Sequence, residues 1–288
     1  MLRTPKLIIE GLRDSIRQAK HFGAFRQPRN LAQARAELQK DIHLIERALA
    51  LPQPRRPFGA GPVKRIEGII SKYGDQLGES LLSQATTVLT GREHWNDKGL
   101  RPEQPTGSIG TEIEKFLVSR RSVRAFSSDR QITTSELERV IALATQAPSV
   151  SNSQSWCVRA YGEAEDITRI LKLQNGNIGN SPIPVLLMVT VDIRNFTGSN
   201  ERNQMWIDGG IFLQQLLLCI HATGWASCPM NFSATNSQAN KLRKLADIPG
   251  YEEIICFVSV GEEDQAIPPA PSLRKPVEDV LRVEKLKD

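Results

Sequence analysis

Hydrophobic residues recur at helical spacing through the first 90 residues of the chain. The longest series predicts a helix that begins after Asn30, a residue type that caps helix N-termini, and its apolar positions are Leu31, Ala34, Leu38, Ile42, Ile45 and Leu49. An earlier helix is predicted from about Pro5 to His21, and two shorter ones follow residue 62. Because prolines lack an amide hydrogen, the proline-rich segment 52–62 is predicted to be non-helical. We find no strand candidate before residue 150.

The pattern changes after residue 91. Residues 92–111 are polar and rich in turn-forming residues, which predicts a linker. Beyond them, the predicted helices are 111–119, 134–147, 163–173, 204–223 and 235–246, and the predicted strands are 156–161, 184–192, 225–230 and 254–261. Mixed helices and short strands indicate an α+β or α/β layered fold. We therefore divide the chain into an all-helical module over 1–91, the linker over 92–111 and a mixed domain over 112–288.

Charge and composition narrow the class of protein. Residues 1–60 carry 12 Lys and Arg against 5 Asp and Glu, whereas the whole chain has a net charge of +5, so the rest of the chain is slightly acidic. This distribution argues against nucleic-acid binding along the whole chain. No apolar run reaches the roughly 18–20 residues of a membrane span, and the N-terminus lacks the pattern of a secretory signal. Four histidines without a clustered ligand set predict no metal site.

The cysteines favour a reducing compartment. They are widely spaced and form no C-x-x-C pair, at positions Cys157, Cys219, Cys228 and Cys256. In a chain of this length such cysteines are typical of reduced core thiols, so we expect a cytoplasmic location.

Four polar or basic clusters are candidates for chemistry. Arginines at 120, 121 and 124 surround Ser122 after a predicted helix. They suit a phosphate ligand, although their spacing alone favours a solvated cationic helix end. Residues 147–156 offer four hydroxyls, two carboxamides and an indole, which suits a flat heteroaromatic ligand or a polar turn. Residues 224–231 join a helix to a strand, and Cys228 there is predicted to be a small buried residue rather than a nucleophile. The fourth cluster is the basic turn 273–276.

In this order, the four clusters resemble the nitroreductase family over residues 112–282. The motifs are Arg-Arg-Ser-Val-Arg-x-Phe, Ala-Pro-Ser-x-x-Asn-x-Gln-x-Trp, Gly-Trp-x-x-Cys-Pro and a late arginine. The resemblance implies a homodimer that binds FMN at its interface, on a mostly antiparallel sheet flanked by helices. It implies that Arg120, Ser122 and Arg274 hold the FMN phosphate with contacts from Arg121, and that Arg124 lies near the pyrimidine edge of the flavin ring.

The resemblance also implies contacts to the flavin ring. The residues expected to reach it from the partner subunit are Pro148, Ser149, Asn152 and Gln154. Pro229 and Met230 are expected to pack on one ring face, with an amide near Asn231 donating to N5. No side chain is assigned as a nucleophile or acid–base catalyst, because the cofactor carries the chemistry.

Three positions depart from the family pattern. Ser155 stands where the family often has Pro, and Ser272 stands where a Lys often precedes the late arginine. Met230-Asn231-Phe232 replaces a turn that often reads hydrophobic-Glu-Gly. The missing Lys predicts weaker FMN binding, and the altered turn leaves the electron acceptor open.

The N-terminal module resembles an extension found ahead of some nitroreductase-like proteins associated with polysaccharide biosynthesis. The resemblance rests on residues 43–49 and on Pro54-Arg55-Arg56-Pro57-Phe58-Gly59. His43 and Glu46 lie one helical turn apart, and they either face a ligand or form a partly buried pair.

The resemblance to the nitroreductase family implies an FMN-dependent oxidoreductase. NAD(P)H is expected to reduce the flavin, which then reduces an unidentified nitro, quinone or other conjugated compound. The alternative is a flavin-binding or flavin-free scaffold associated with polysaccharide biosynthesis, whose basic N-terminal module docks on a partner.

Overall fold

The computed structural model describes residues 4–21, 28–50, 54–100, 111–175, 177, 182–267, 269, 277 and 280–284. Its helices are α1 Thr4–His21, α2 Leu31–Ala50, α3 Ala60–Tyr73, α4 Glu79–Lys98, α5 Thr111–Ser119, α6 Thr134–Ala144, α7 Ala164–Leu171, α8 Gln204–Ala222 and α9 Asn236–Leu245. Its strands are β1 Phe126–Ser127, β2 Trp156–Tyr161, β3 Val185–Asp192, β4 Ala226–Asn231 and β5 Glu252–Glu263.

Local capping chemistry sets the starts of two helices. The Asn30 side chain accepts a hydrogen bond from the Gln33 backbone N–H at 3.0 Å, where α2 begins. Thr133 and Glu136 form a reciprocal capping box at the start of α6.

Three predictions about elements are wrong. β1 lies before residue 150; two residues carry no periodic signal, and β1 exists because it pairs with the end of β5. α4 continues to Lys98, so residues 92–98 of the predicted linker are helical, whereas 101–110 lie outside the described residues. α3 begins at Ala60, inside the segment 52–62 that was predicted to be non-helical. Pro62 is tolerated there because it lies in the first turn, where a missing N–H costs no helical hydrogen bond.

The described strands form one antiparallel sheet, which confirms the α+β prediction. β5 is central: β3 pairs with one side of it, and β4 and the short β1 pair with the other. β2 pairs with the far side of β3. The segment that links α5 to β1 lies next to β4, where Ser122 forms an isolated bridge with Ser227.

Helices cover both faces of the sheet and bury its apolar side chains. α6 and α8 pack on one face through a cluster that contains Val140, Phe212, Leu216 and Val258. On the other face, residues of α7 and α9 join Met188, Phe257 and Met230. Burial of these apolar surfaces supplies the main stabilising free energy of such a layered domain.

The helical module has its own core and also packs on the mixed domain. Leu38 and Ile42 of α2 meet Ile66 of α3 and Val88 of α4. α2 additionally contacts the turns 150–152 and 193–195 of the mixed domain. Lys40 of α2 lies 3.3 Å from a Glu201 carboxylate oxygen, and Arg17 of α1 pairs with Glu253.

Helix α8 is long and apolar enough to cross a membrane, judged by length and composition alone. It packs against α6 and against strands of the sheet, and it carries the buried Asp208. Its composition therefore fits the central helix of a layered core as well.

Candidate functional site

The arginine segment 120–124 lies beside β4. The Val123 N–H donates to the Ser227 carbonyl at 3.0 Å, and this bond holds the segment against the first residues of the strand. Arg121 donates to the Val118 and Arg120 carbonyls, and Arg124 donates to the Ser122 carbonyl at 3.3 Å. The structure thus brings the predicted phosphate-binding residues next to the predicted ring-binding strand.

The groups that act on Cys228 also show that the arginine segment 120–124 lies close to β4. Burial raises the pKa of the Cys228 thiol, and the charge of Arg124, a hydrogen bond with Ser122 and the charge of Arg120 partly oppose that rise. A buried thiol with a raised pKa is a poor nucleophile, as the sequence predicts. Alternation along β4 places Met230 in the core beside Phe257, so the half-buried Pro229 faces the opposite side of the sheet.

A cavity of about 350 Å³ opens where α5, α8 and β4 meet; we call it the arginine cavity. Its polar lining includes Ser119, Arg120, Arg121, His221, Ser227 and Glu263. The two guanidinium groups in this concave site are donors that suit a phosphate, and the carboxylates of Glu262 and Glu263 also line it. Trp225 forms part of the wall, and the Arg130 guanidinium lies 4.1 Å from the centre of its ring.

His221 is a site residue that sequence reasoning missed. Its Nε2 lies 2.7 Å from Ser119 Oγ, and its ring stacks on Phe116 with centroids 5.2 Å apart. Burial lowers the pKa of His221, the charge of Arg120 lowers it further, and Glu263 partly offsets both. A histidine in the last turn of an apolar helix looks like an ordinary helix end, so only its position in the fold identifies it.

The polar loop 148–154 adopts a conformation that non-glycine residues rarely take. Ser151, Asn152 and Gln154 have φ angles of 48°, 51° and 47°. Such left-handed residues cost roughly 1–3 kcal/mol each and cluster at functional sites. Hydrogen bonds hold the loop together: Gln154 N–H donates to Ser149 Oγ at 3.0 Å, and the Gln154 amide donates to Asn152 Oδ1 at 3.3 Å.

Asp208 anchors this loop to α8 and was also missed from the sequence. It is fully buried, and both of its carboxylate oxygens accept from the Val150 N–H at 3.2 Å. Gln204 donates to it at 2.8 Å. Burial raises the pKa of Asp208, and these two hydrogen bonds oppose the rise. The rigid anchor explains how the strained loop keeps its shape.

The polar loop and the arginine cavity lie at different ends of α8. Thirteen residues separate Asp208 from His221, which at 1.5 Å per residue corresponds to about 20 Å. One chain therefore does not bring Ser149, Asn152 and Gln154 to the arginines. Trp206, Ile207 and Ile211 form an apolar stripe on α8 and are 47%, 51% and 37% exposed.

Other predicted features lie away from this site. Arg274 and Ser272 lie outside the described residues.

In the helical module, His43 Nδ1 lies 3.5 Å from Glu46 Oε2, and both side chains are well exposed. Glu46 also lines a cavity of about 480 Å³ between α2 and α4. Within the described ranges, no cluster of His, Cys, Asp and Glu could hold a metal ion.

Comparisons with known proteins agree with this architecture. Residues 117–182 and 181–262 match the model of the nitroreductase family. The chain is 25% identical over 206 residues to 4-nitrobenzoate reductase of Pseudomonas putida, a match that covers 54% of this chain and 86% of that protein. It is 26% identical over 151 residues to a candidate NADH dehydrogenase/NAD(P)H nitroreductase of Archaeoglobus fulgidus, which covers 52% and 84%.

Solved structures show the same fold. A nitroreductase family protein of Clostridium difficile 630 superposes with a TM-score of 0.50 at 25% identity, over 60% of this chain and 98% of that one. A candidate nitroreductase of Bacillus subtilis superposes with a TM-score of 0.53 at 19% identity, over 60% and 99%. Since the matched residues make up about half of its length, the chain belongs to the nitroreductase family.

Proposed function

We propose that the protein is an FMN-dependent oxidoreductase that takes reducing equivalents from NAD(P)H and works as a homodimer with FMN between its subunits. One observation carries the proposal: the arginine cavity and the polar loop lie about 20 Å apart along α8, with an exposed apolar stripe on the same helix. A twofold dimer pairs the cavity of one copy with the loop of the other.

The residues present fit FMN. Arg120 and Arg121 supply charge-assisted donors for a phosphate, and Ser122 and Arg274 are proposed to join them. Ser149, Asn152 and Gln154 supply donors and acceptors for the polar edge of a flavin ring. Arg124 is exposed and lies close enough to Cys228 to influence the pKa of the thiol, which puts its charge beside β4. Pro229 and the amide near Asn231 of the same strand are proposed to meet the flavin ring.

FMN held by these residues would supply hydride transfer between reduced nicotinamide and an electron acceptor. The protein's part is electrostatic and steric: Arg124 stabilises negative charge near the pyrimidine edge, and the fixed loop orients the ring. No side-chain nucleophile is needed. The relationship to 4-nitrobenzoate reductase makes nitroaromatic compounds the first acceptors to test.

A scaffold with little turnover is the second candidate function. The altered turn Met230-Asn231-Phe232 favours it, because this turn is proposed to lie on the acceptor side of the flavin. The association with polysaccharide biosynthesis and the cytoplasmic location stay predictions.

A visible spectrum tests the proposal. The purified protein is titrated with FMN and then given NADPH or NADH under argon, with and without 4-nitrobenzoate. We expect bound flavin that bleaches with nicotinamide and regains its colour with the acceptor. A protein that takes up no FMN contradicts the proposed function, whereas bound flavin that neither nucleotide reduces supports the scaffold.

A further inference from the structure

The hydrogen bond between Ser119 and His221 favours one tautomer of the ring. Ser119 Oγ has a single hydrogen, which it donates to the Phe116 carbonyl at 2.9 Å. In this arrangement the Ser119 oxygen accepts from His221 Nε2, which corresponds to the neutral tautomer with its hydrogen on Nε2. In that tautomer Nδ1 carries no hydrogen. Only the protonated ring has a second N–H, at Nδ1, with which to bind an anion.

The charged groups around His221 come from three elements. Arg120 and Arg121 follow α5, Glu262 and Glu263 end β5, and His221 itself lies in the last turn of α8. Burial and the charge of Arg120 lower the pKa of His221, so the ring is mostly neutral at neutral pH. An anion bound to the arginines opposes the effect of the Arg120 charge on the pKa of His221, because the anion adds negative charge beside the ring.

We infer that His221 is a proton-linked ligand of the FMN phosphate in the arginine cavity, an inference that rests on the proposed function. Ser119 and Phe116 hold the ring in place, and the proton taken up at Nδ1 adds a third cation to Arg120 and Arg121. The pKa of His221 is then higher in the complex than in the free protein. Phosphate binding is consequently strongest below the free-protein pKa and weakens as the pH rises through the pKa of the complex.

Binding constants for FMN and riboflavin separate this role from flavin binding in general. Both flavins are titrated from about pH 5.5 to about pH 8, the range in which histidine changes charge. Relative to His221→Gln, the wild type should gain up to about tenfold in its preference for FMN over riboflavin on acidification, the equivalent of a pKa rise of one unit. His221→Gln should lose this increase, and the exposed His94→Gln should keep it. The ionisation of the phosphate itself is common to all three proteins and cancels.

Nuclear magnetic resonance titration decides the same question in the wild-type protein. The chain has four histidines, so His221 is identified once His21, His43 and His94 are assigned by substitution. FMN should raise the pKa of His221 by about one unit, and riboflavin should leave it unchanged. This readout does not require His221→Gln to fold.

The outcomes are distinguishable. If neither flavin binds, the proposed function fails together with this inference. If FMN and riboflavin bind equally, the arginine cavity does not hold the phosphate. If FMN is preferred but His221 titrates identically with and without it, the oxidoreductase proposal stands and the role of His221 is refuted.

Discussion

Glu252 shows how one buried carboxylate ties three strands together. Its oxygens accept from Arg159 Nη1 at 2.6 Å and Nη2 at 2.9 Å, and Thr190 also donates to it. Burial by itself raises the pKa of Glu252, but the hydrogen bonds from Arg159 and Thr190 outweigh it and hold the pKa below the ordinary value. The carboxylate therefore stabilises the fold above the unfolded-state pKa, and this contribution is lost as the pH falls through the folded-state pKa.

Glu252→Gln should lower the free energy of unfolding by about 2–3 kcal/mol at neutral pH, because it leaves Arg159 without a countercharge. The deficit should shrink as the pH falls through the lowered pKa of Glu252, where the wild-type carboxylate is itself protonated. Urea unfolding at several pH values measures both effects. The exposed Glu138→Gln is the control, and an equal deficit at every pH would contradict the account.

Single residues were predictable where their role is local. Asn30 and Thr133 cap helices through bonds that reach only three residues along the chain, so their spacing was sufficient. Asp208 and His221 gain their roles from Val150 and Ser119, which are 58 and 102 residues away. Cys157 was expected in the core and is exposed, because it points outward from the edge strand β2.

Among the elements, α8 does the most to organise the site. Its inner face fills the core, one end anchors the polar loop, and the other end carries His221. The apolar stripe of Trp206, Ile207 and Ile211 remains uncovered within one chain, and apolar surface of this kind marks an interface.

Ile211→Glu should weaken the proposed homodimer by at least about 100-fold, because a desolvated carboxylate at an interface core is costly. Ile16→Glu, at an exposed apolar position of α1, should leave the dimer intact. Sedimentation equilibrium measures the association constants, and flavin retention should fall together with dimerisation. A monomeric wild type, or an Ile211→Glu protein that remains a tight dimer, would contradict this interface.

Elements were predictable in proportion to their length. Helices α1, α2 and α8 have long apolar series, and their ends lie close to the predicted positions. β1 has two residues and depends on Glu262 and Glu263, which are more than 130 positions away, so its local sequence carried no strand signal.

At the scale of the whole molecule, the helical module is part of the site's support. Its basic charge is partly used in pairs with the mixed domain, Arg17 with Glu253 and Lys40 with Glu201. The sequence predicted both the module and its excess charge. It did not predict where the module docks, because docking depends on shape and on partners distant in sequence.

The central claim, that two chains share each flavin site, is tested most directly by mixing two defective proteins. Arg120→Ala removes a proposed phosphate ligand, and Asn152→Ala removes a proposed ring contact from the partner loop. In a shared site, a mixed dimer has one site with both residues intact and one with neither.

We measure bound FMN per chain in each variant and after the two are unfolded, mixed and refolded together. Each variant alone should retain little FMN. Random pairing makes half of the dimers mixed, so the mixture should recover about a quarter of the wild-type FMN content. A mixture that retains no more FMN than the separate variants would show that each site lies within one chain and would contradict the account.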